Sequence, residues 1–198
     1  MGRLSTYMIT SANSDNAADD SFNALQLGVD RVQIRLPNSP TSVVERVLSE
    51  LLSRVPDVAK RLFVNDRVDI AIALGLGGVQ LPSRSFETAD VRRSTGHKLC
   101  IGVSTHSLED IRQAERGGAD FVVFGPVYET ASKPGHPGFG IGALREAVNT
   151  TEIPVYAVGG ITLTRIREVA ATGVSGVAGI SAFAEVESLK RLMQAIQC

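Results

Sequence analysis

The chain has 198 residues, of which 43% are hydrophobic, and its formal net charge is −1. This length and composition are typical of one soluble globular domain, which we assign to residues 1–198. The dispersed basic residues argue against a nucleic-acid partner, and no apolar run is long enough to cross a bilayer. Residues 1–10 lack the charged and apolar regions of a signal peptide, so we expect a cytoplasmic protein whose partner is a small molecule.

Cysteine and histidine are scarce. Cys100 lies in a predicted strand and Cys198 is far from it in sequence, so the chain offers no disulfide framework. The three histidines are His97, His106 and His136, and no two of them have helical spacing. The sequence therefore predicts no zinc site.

Short apolar runs alternate with helical patterns along nearly the whole chain. Apolar residues recur at the helical period from Val43 to Leu52, and Ser107 is a typical N-cap. Strands that alternate with helices pair in parallel. The eight predicted strands are Tyr7–Ile9, Val32–Ile34, Leu62–Val64, Val79–Leu81, Leu99–Val103, Phe121–Phe124, Val155–Val158 and Gly176–Gly179.

A weak internal repeat supports one architecture. The segments LGVDRVQI (27–34), GGADFVVF (117–124), TGVSGVAG (172–179) and, more loosely, LGLGGVQL (74–81) share a glycine at a helix end followed by a strand. Short joints at one rim and long loops at the other indicate a closed (β/α)8 TIM barrel of the α/β class. The alternative is an open doubly wound sheet, although no GxGxxG follows the first strand.

The most informative segment is FGPVYETASKPGHPGFG, residues 124–140. It carries hydroxyls at Thr130 and Ser132 and a positive charge at Lys133, a combination that suits an anion. Glycine turns at 159–160 and 179–181 follow later strands, and neighbouring turns of this kind hold a phosphate in many barrels. The alternative is that these glycines only mark loops.

Polar residues end several predicted strands and should converge at one rim. Arg35 suits a phosphate or carboxylate ligand, or else a salt bridge. Asn65 and Asp66 have two candidate roles, a magnesium site and, more commonly, a cap for the next helix. His106 is either an acid–base group or a hydrogen-bonded rim residue. The whole set at this rim also includes Thr10, Gln33, Gln80, Ser104, Gly160 and Ser181.

From Tyr7 to Gly179 and beyond, the chain resembles the thiamine phosphate synthase and thiazole tautomerase superfamily. The segments that carry the resemblance are YMIT, QIR, VNDRVDIA, GVSTH, VGGI and GISAF. Within the long loop, Gly125-Pro126 is similar to the synthase branch. In contrast, the YET segment that follows and the earlier GVQLPSRSFE are similar to the tautomerase branch.

A synthase of this superfamily couples a pyrimidine pyrophosphate to a thiazole phosphate. Two positions differ from its pattern, because Pro37 stands where a lysine is expected and Ser85 where a second magnesium-binding aspartate is expected. The loss of both charges argues against synthase activity. The resemblance implies that the pyrophosphate and its magnesium would be held by Arg35, Asn65, Asp66, Ser104, Thr130, Ser132 and Lys133.

A tautomerase moves a proton on a thiazole carboxylate phosphate without a metal. Pro126 stands where that branch has a histidine, so the candidates for the proton carrier are His106, Glu129 and His136. We interpret the chain as a tautomerase-like enzyme without a cofactor. Its substrate phosphate would be bound mainly by Gly159, Gly160, Gly179, Ile180 and Ser181.

Two alternatives remain. One is a divergent synthase that uses magnesium through Asp66 alone, and the other is a non-catalytic barrel that binds a phosphorylated ligand. Formation of a homo-oligomer is a further possibility. The last predicted helix has an apolar face that packs either on the core or on a second copy of the chain, and this face consists of Leu189, Leu192, Met193 and Ile196.

Overall fold

The computed structural model describes residues 3–12 and 15–197 of the chain. Cys198 and the other remaining positions of the domain assigned to residues 1–198 lie outside the described residues. Within the described ranges, eight parallel strands form a closed barrel in chain order. They are β1 (Ser5–Ile9), β2 (Arg31–Ile34), β3 (Leu62–Asn65), β4 (Gly78–Leu81), β5 (Cys100–Thr105), β6 (Phe121–Phe124), β7 (Val155–Val158) and β8 (Gly176–Gly179).

Helices follow the strands and surround the barrel. They are α1 (Ala17–Gln26), α2 (Thr41–Arg54), α3 (Val68–Ala73), α4 (Thr88–Thr95), α5 (Leu108–Arg116), α6 (Gly140–Asn149), α7 (Ile166–Ala170), α8 (Ser181–Ala184) and α9 (Val186–Gln197). Short 3-10 helices at Val58–Arg61 and Gly96–Lys98 precede β3 and β5. No helix in the described part of the chain combines the length and apolarity needed to cross a membrane.

The pairing of β1 with β8 decides the architecture. Ser5 lies opposite Gly176 and Tyr7 opposite Ala178, so the sheet has no free edge. The predicted (β/α)8 barrel is therefore confirmed, and the open sheet is excluded. All eight predicted strands are present, although β5 extends to Thr105 and so includes Ser104.

Glycines end several helices in the left-handed conformation that the repeat predicts. Gly28, Gly75, Gly118 and Gly173 have φ angles of 88°, 62°, 86° and 87°. An L-residue rarely adopts this conformation, and it turns the chain sharply back toward the next strand. The loops that connect helices to strands at the amino-terminal rim are therefore short, and the longer loops lie at the opposite rim.

The barrel interior has an aromatic layer and a polar layer. The rings of Tyr7, Phe63, Phe121 and Tyr156 pack with centroids 5.2 to 6.1 Å apart. Nearer the carboxyl ends of the strands, the buried amides of Gln33 and Gln80 form the polar layer. The interior is thus filled at the aromatic level, and polar groups support the other rim.

Helix α9 packs on the barrel through its apolar face. Leu189, Leu192, Met193 and Ile196 are between 1% and 7% exposed. Core packing therefore accounts for these residues, which leaves the homo-oligomer as an untested hypothesis.

Candidate functional site

A cavity of about 870 Å³ opens at the carboxyl ends of the strands. Its volume lies in the range of small-molecule sites. Glu129 and His136 are not part of its lining, and neither are Thr10 and Gln80 of the predicted rim set. The other predicted site residues all line it: Gln33, Arg35, Asn65, Asp66, Ser104, His106, Thr130, Ser132, Lys133, Gly159, Gly160, Gly179, Ile180 and Ser181.

Arg35 is held at the end of β2 through its backbone. Its N–H donates to the hydroxyl of Thr10 at 2.8 Å, which joins the ends of β1 and β2. The structure shows no ion pair between the Arg35 guanidinium and any residue it describes, so the salt-bridge alternative finds no support. The charge of Arg35 lines the cavity and is available to an anionic ligand.

Asp66 does not have the capping role that its position before a helix suggests. It has φ 62°, and its N–H donates to the Gln80 carbonyl at 2.9 Å. Its carboxylate accepts a hydrogen bond from the Ser85 hydroxyl. The N-cap of α3 is Arg67, without a side-chain capping bond, so the cap interpretation of Asp66 is wrong.

Buried amides fix the polar floor of the cavity. Gln33 Nε2 donates to Asn65 Oδ1 at 3.1 Å, and Gln80 Nε2 donates to Ser104 Oγ at 3.1 Å. Gln33 is only 2% exposed, yet its Oε1 has no hydrogen-bond partner in the described part of the chain. A buried acceptor without a partner is costly, and here a ligand N–H would satisfy it.

His106 and Lys133 are in direct contact. His106 Nδ1 lies 2.6 Å from the Gly125 carbonyl oxygen, which can only accept, so this nitrogen carries the proton. In the neutral ring, Nε2 then accepts from the Lys133 ammonium at 3.3 Å. Burial lowers the pKa of Lys133 from its ordinary value. The contact holds the long β6–α6 loop over the end of β5.

The other two proton-carrier candidates lie outside the cavity. His136 Nδ1 accepts from the Gly138 N–H at 3.0 Å, and its ring packs edge-on against Phe139. Glu129 is exposed. The structure brings His106 to the cavity but does not bring these two residues with it.

The turn after β7 needs glycine for packing as well as for conformation. Gly159 and Gly160 have φ angles of 98° and 64°. A Cβ on Gly160 would lie 2.4 Å from the Glu129 carbonyl oxygen, and one on Gly159 would lie 2.7 Å from Pro126 Cα. The β6–α6 loop therefore packs against this turn, a contact that the sequence pattern does not predict.

The structure adds residues that the sequence analysis missed. Arg84, Thr162 and Thr164 also line the cavity. Arg165 donates to the Gly160 carbonyl at 2.8 Å, and its guanidinium lies 4.2 Å from the Tyr128 ring centroid. The signal that was available for Arg84 is its place directly after β4, where a barrel presents functional side chains.

Metal-binding capacity at the cavity is limited. The described ranges contain no group of three or more His, Cys, Asp and Glu side chains that could hold a metal ion. Asp66 is the single carboxylate that lines the cavity among the described residues. Mg²⁺ is commonly held by one or two carboxylates together with substrate phosphates and water, so this set fits a shared ion and not a protein-built cage.

Comparisons with known proteins agree with this architecture. The chain is 35% identical to a thiamine-phosphate synthase of Pyrococcus horikoshii, over 98% of this chain and 94% of that one. It is 40% identical to a putative thiamine-phosphate synthase of Geobacter sulfurreducens, over 90% and 86% of the two chains. A solved structure of a thiamine phosphate pyrophosphorylase from Pyrococcus furiosus superposes with a TM-score of 0.81, at 31% identity over 98% of this chain and 96% of that one.

The family match covers nearly the whole barrel. The family model described as thiamine monophosphate synthase matches residues 6–183. This range runs from β1 through the turn after β8 into α8, and thus includes every strand end that lines the cavity. The chain therefore belongs to the thiamine monophosphate synthase family of thiamine biosynthesis.

Proposed function

We propose that the protein is a thiamine-phosphate synthase that joins a pyrimidine pyrophosphate to a thiazole phosphate and releases pyrophosphate. The observation that carries this proposal is one cavity lined by two separate sets of groups that suit an anion. Arg35 and Lys133 line it on the side of β2 to β6, while the glycine turns after β7 and β8 line the opposite arc. A reaction of two phosphorylated substrates needs two such ends in one space.

The polar floor fits the pyrimidine half of this substrate pair. Gln33 Oε1 is buried and without a partner among the described residues, so it can accept from an N–H on a heterocycle. Asn65 orients the Gln33 amide from the other side. A purely phosphate-binding barrel would have no use for this acceptor, which supports a substrate with a polar ring.

Magnesium fits the proposal as a shared ion. We propose that the Asp66 carboxylate is the protein ligand and that Ser85, which donates to it, fixes its orientation. When bound, Mg²⁺ neutralises negative charge on the departing pyrophosphate. Arg35, Ser104, Thr130, Ser132 and Lys133 would bind the phosphate oxygens.

The cavity gives less support to the tautomerase interpretation. That reaction needs an acid–base group within hydrogen-bond reach of the substrate. His106 has both ring nitrogens engaged, Pro126 has no proton to transfer, and Glu129 and His136 do not line the cavity. The named relatives also favour the synthase, which was the alternative interpretation of the sequence.

The proposal is tested by incubating the protein with pyrimidine pyrophosphate, thiazole phosphate and Mg²⁺, and oxidising the product to fluorescent thiochrome. We expect fluorescence that depends on both substrates. A parallel reaction follows the ultraviolet absorbance of thiazole carboxylate phosphate. Aromatisation without thiochrome would assign the tautomerase, and thermal stabilisation by thiazole phosphate without either reaction would assign the binding protein.

A further inference from the structure

Arg84 is a cation at the cavity that no hydrogen bond or ion pair occupies within the described residues. It lies in the β4–α4 loop, where it lines the cavity together with Pro82 and Ser83. Arg67, by contrast, pairs with Asp69 at 2.6 Å. An unpaired guanidinium at a cavity is available for an anionic ligand.

The charges around the cavity favour an anionic ligand at this point. The charged side chains of its described lining are Arg35, Arg84 and Lys133 against the single carboxylate of Asp66. Pro37, which also lines the cavity, contributes no charge. Without Arg84, only two cations would face both Asp66 and a pyrophosphate that itself carries several negative charges.

The neighbour of Arg84 explains how the loop is held. Ser85 donates a hydrogen bond to the Asp66 carboxylate, which ties the β4–α4 loop to the end of β3. An aspartate at position 85 would offer Arg84 an adjacent carboxylate. Serine instead anchors the loop without neutralising the guanidinium.

We propose that Arg84 binds the pyrophosphate group of the pyrimidine substrate and supplies the positive charge that Pro37 does not. This inference rests on the proposed synthase function, and it names a further substrate-binding residue for it. The guanidinium acts by direct hydrogen bonds to phosphate oxygens from the β4–α4 loop.

The test measures the binding of inorganic pyrophosphate to the whole protein by calorimetry, with and without Mg²⁺, alongside the thiochrome assay. We expect Arg84→Gln to weaken pyrophosphate binding about tenfold and to raise KM for the pyrimidine substrate similarly, as for loss of a charge-assisted hydrogen bond. The loss of pyrophosphate affinity should be larger without Mg²⁺, because the ion neutralises part of the negative charge that Arg84 would otherwise meet. Arg84→Lys should recover only part of the affinity, since an ammonium lacks the bidentate fork.

The matched control is Arg93→Gln on α4, which removes the same charge from an exposed residue outside the cavity lining. It should leave affinity and KM unchanged. Arg35→Gln tests the proposed function itself. Weakened binding in Arg35→Gln with wild-type binding in Arg84→Gln would overturn the role of Arg84 alone. A wild-type protein that neither binds pyrophosphate nor forms thiochrome would overturn both proposals.

Discussion

At the scale of single residues, the contact between His106 and Lys133 has the clearest functional meaning. Because Gly125 fixes the ring from one side, the lone pair of Nε2 faces the lysine. This geometry favours an orienting role for His106 over proton transfer. The ring would hold the Lys133 ammonium where a pyrophosphate oxygen can accept from it.

We therefore expect His106→Asn to raise KM for the pyrimidine substrate about tenfold while kcat changes less, as for loss of one hydrogen bond to a charged group. Loss of a proton carrier would instead lower kcat by about 10²- to 10⁴-fold. Steady-state kinetics with the thiochrome assay separates the two. His106→Gln, whose longer side chain can place its amide oxygen near the position of Nε2, should recover part of the effect.

The lowered pKa of Lys133 predicts a pH dependence of ligand binding. Burial disfavours the charged form, and lysine binds anions only while it is protonated. Pyrophosphate affinity should therefore fall as the pH rises through this lowered pKa, earlier than for an ordinary lysine. Lys133→Arg should move the alkaline limit upward, and identical pH profiles of the two proteins in calorimetry would contradict this origin.

The sequence predicted the residues at strand ends better than those in the long loop. The positions of Gln33, Arg35 and Ser104 could be predicted because the carboxyl ends of parallel strands lie at the same rim of the barrel. The sequence could not predict that His106 lines the cavity while His136 does not. The β6–α6 loop has no periodic pattern that would indicate where its side chains lie. The contact of Lys133 with His106 depends on how this loop folds back over the end of β5.

At the scale of elements, the turn after β7 depends on its contact with the β6–α6 loop. We expect Gly160→Ala to lower the free energy of unfolding by about 1–3 kcal/mol or more, from a strained φ of 64° and a Cβ only 2.4 Å from the Glu129 carbonyl oxygen. Urea denaturation measures this change. Phosphate-ligand affinity should fall as well, because the turn must shift.

Gly75→Ala is the matched control for this turn. Gly75 has φ 62°, and a Cβ there would meet nothing within 4 Å, so only the conformational strain remains. A loss of stability as large as that of Gly160→Ala would show that the contact with Glu129 contributes nothing. The sequence predicted both glycines as turns, but it could not distinguish an open turn from a packed one.

For the barrel as a whole, we expect the buried aromatic layer to contribute strongly to the free energy of unfolding. We expect Phe121→Ala to lower the free energy of unfolding by about 3–5 kcal/mol, because the 1% exposed ring would leave a cavity among three other rings. Phe86→Ala, at a ring that is 68% exposed, should change it by less than about 0.5 kcal/mol. Equal effects of the two substitutions in urea denaturation would contradict this packing.

The barrel architecture could be predicted because two independent sequence patterns indicate the same alternation of strands and helices. Helix and strand periods alternate, and the glycine joints recur at Gly28, Gly118 and Gly173. Periodicity alone does not distinguish a closed barrel from an open sheet, since both contain parallel strands. The pairing of Ser5 with Gly176 resolves this question.

That pairing also shapes how the chain is made. During synthesis on the ribosome, β1 is made long before β8. One edge of β1 therefore lacks its hydrogen-bonding partner during this time, and an unpaired strand edge is prone to aggregation. The turn that begins at Gly179 arrives later still. A phosphorylated ligand that contacts this turn could therefore stabilise only a chain whose barrel is already nearly complete.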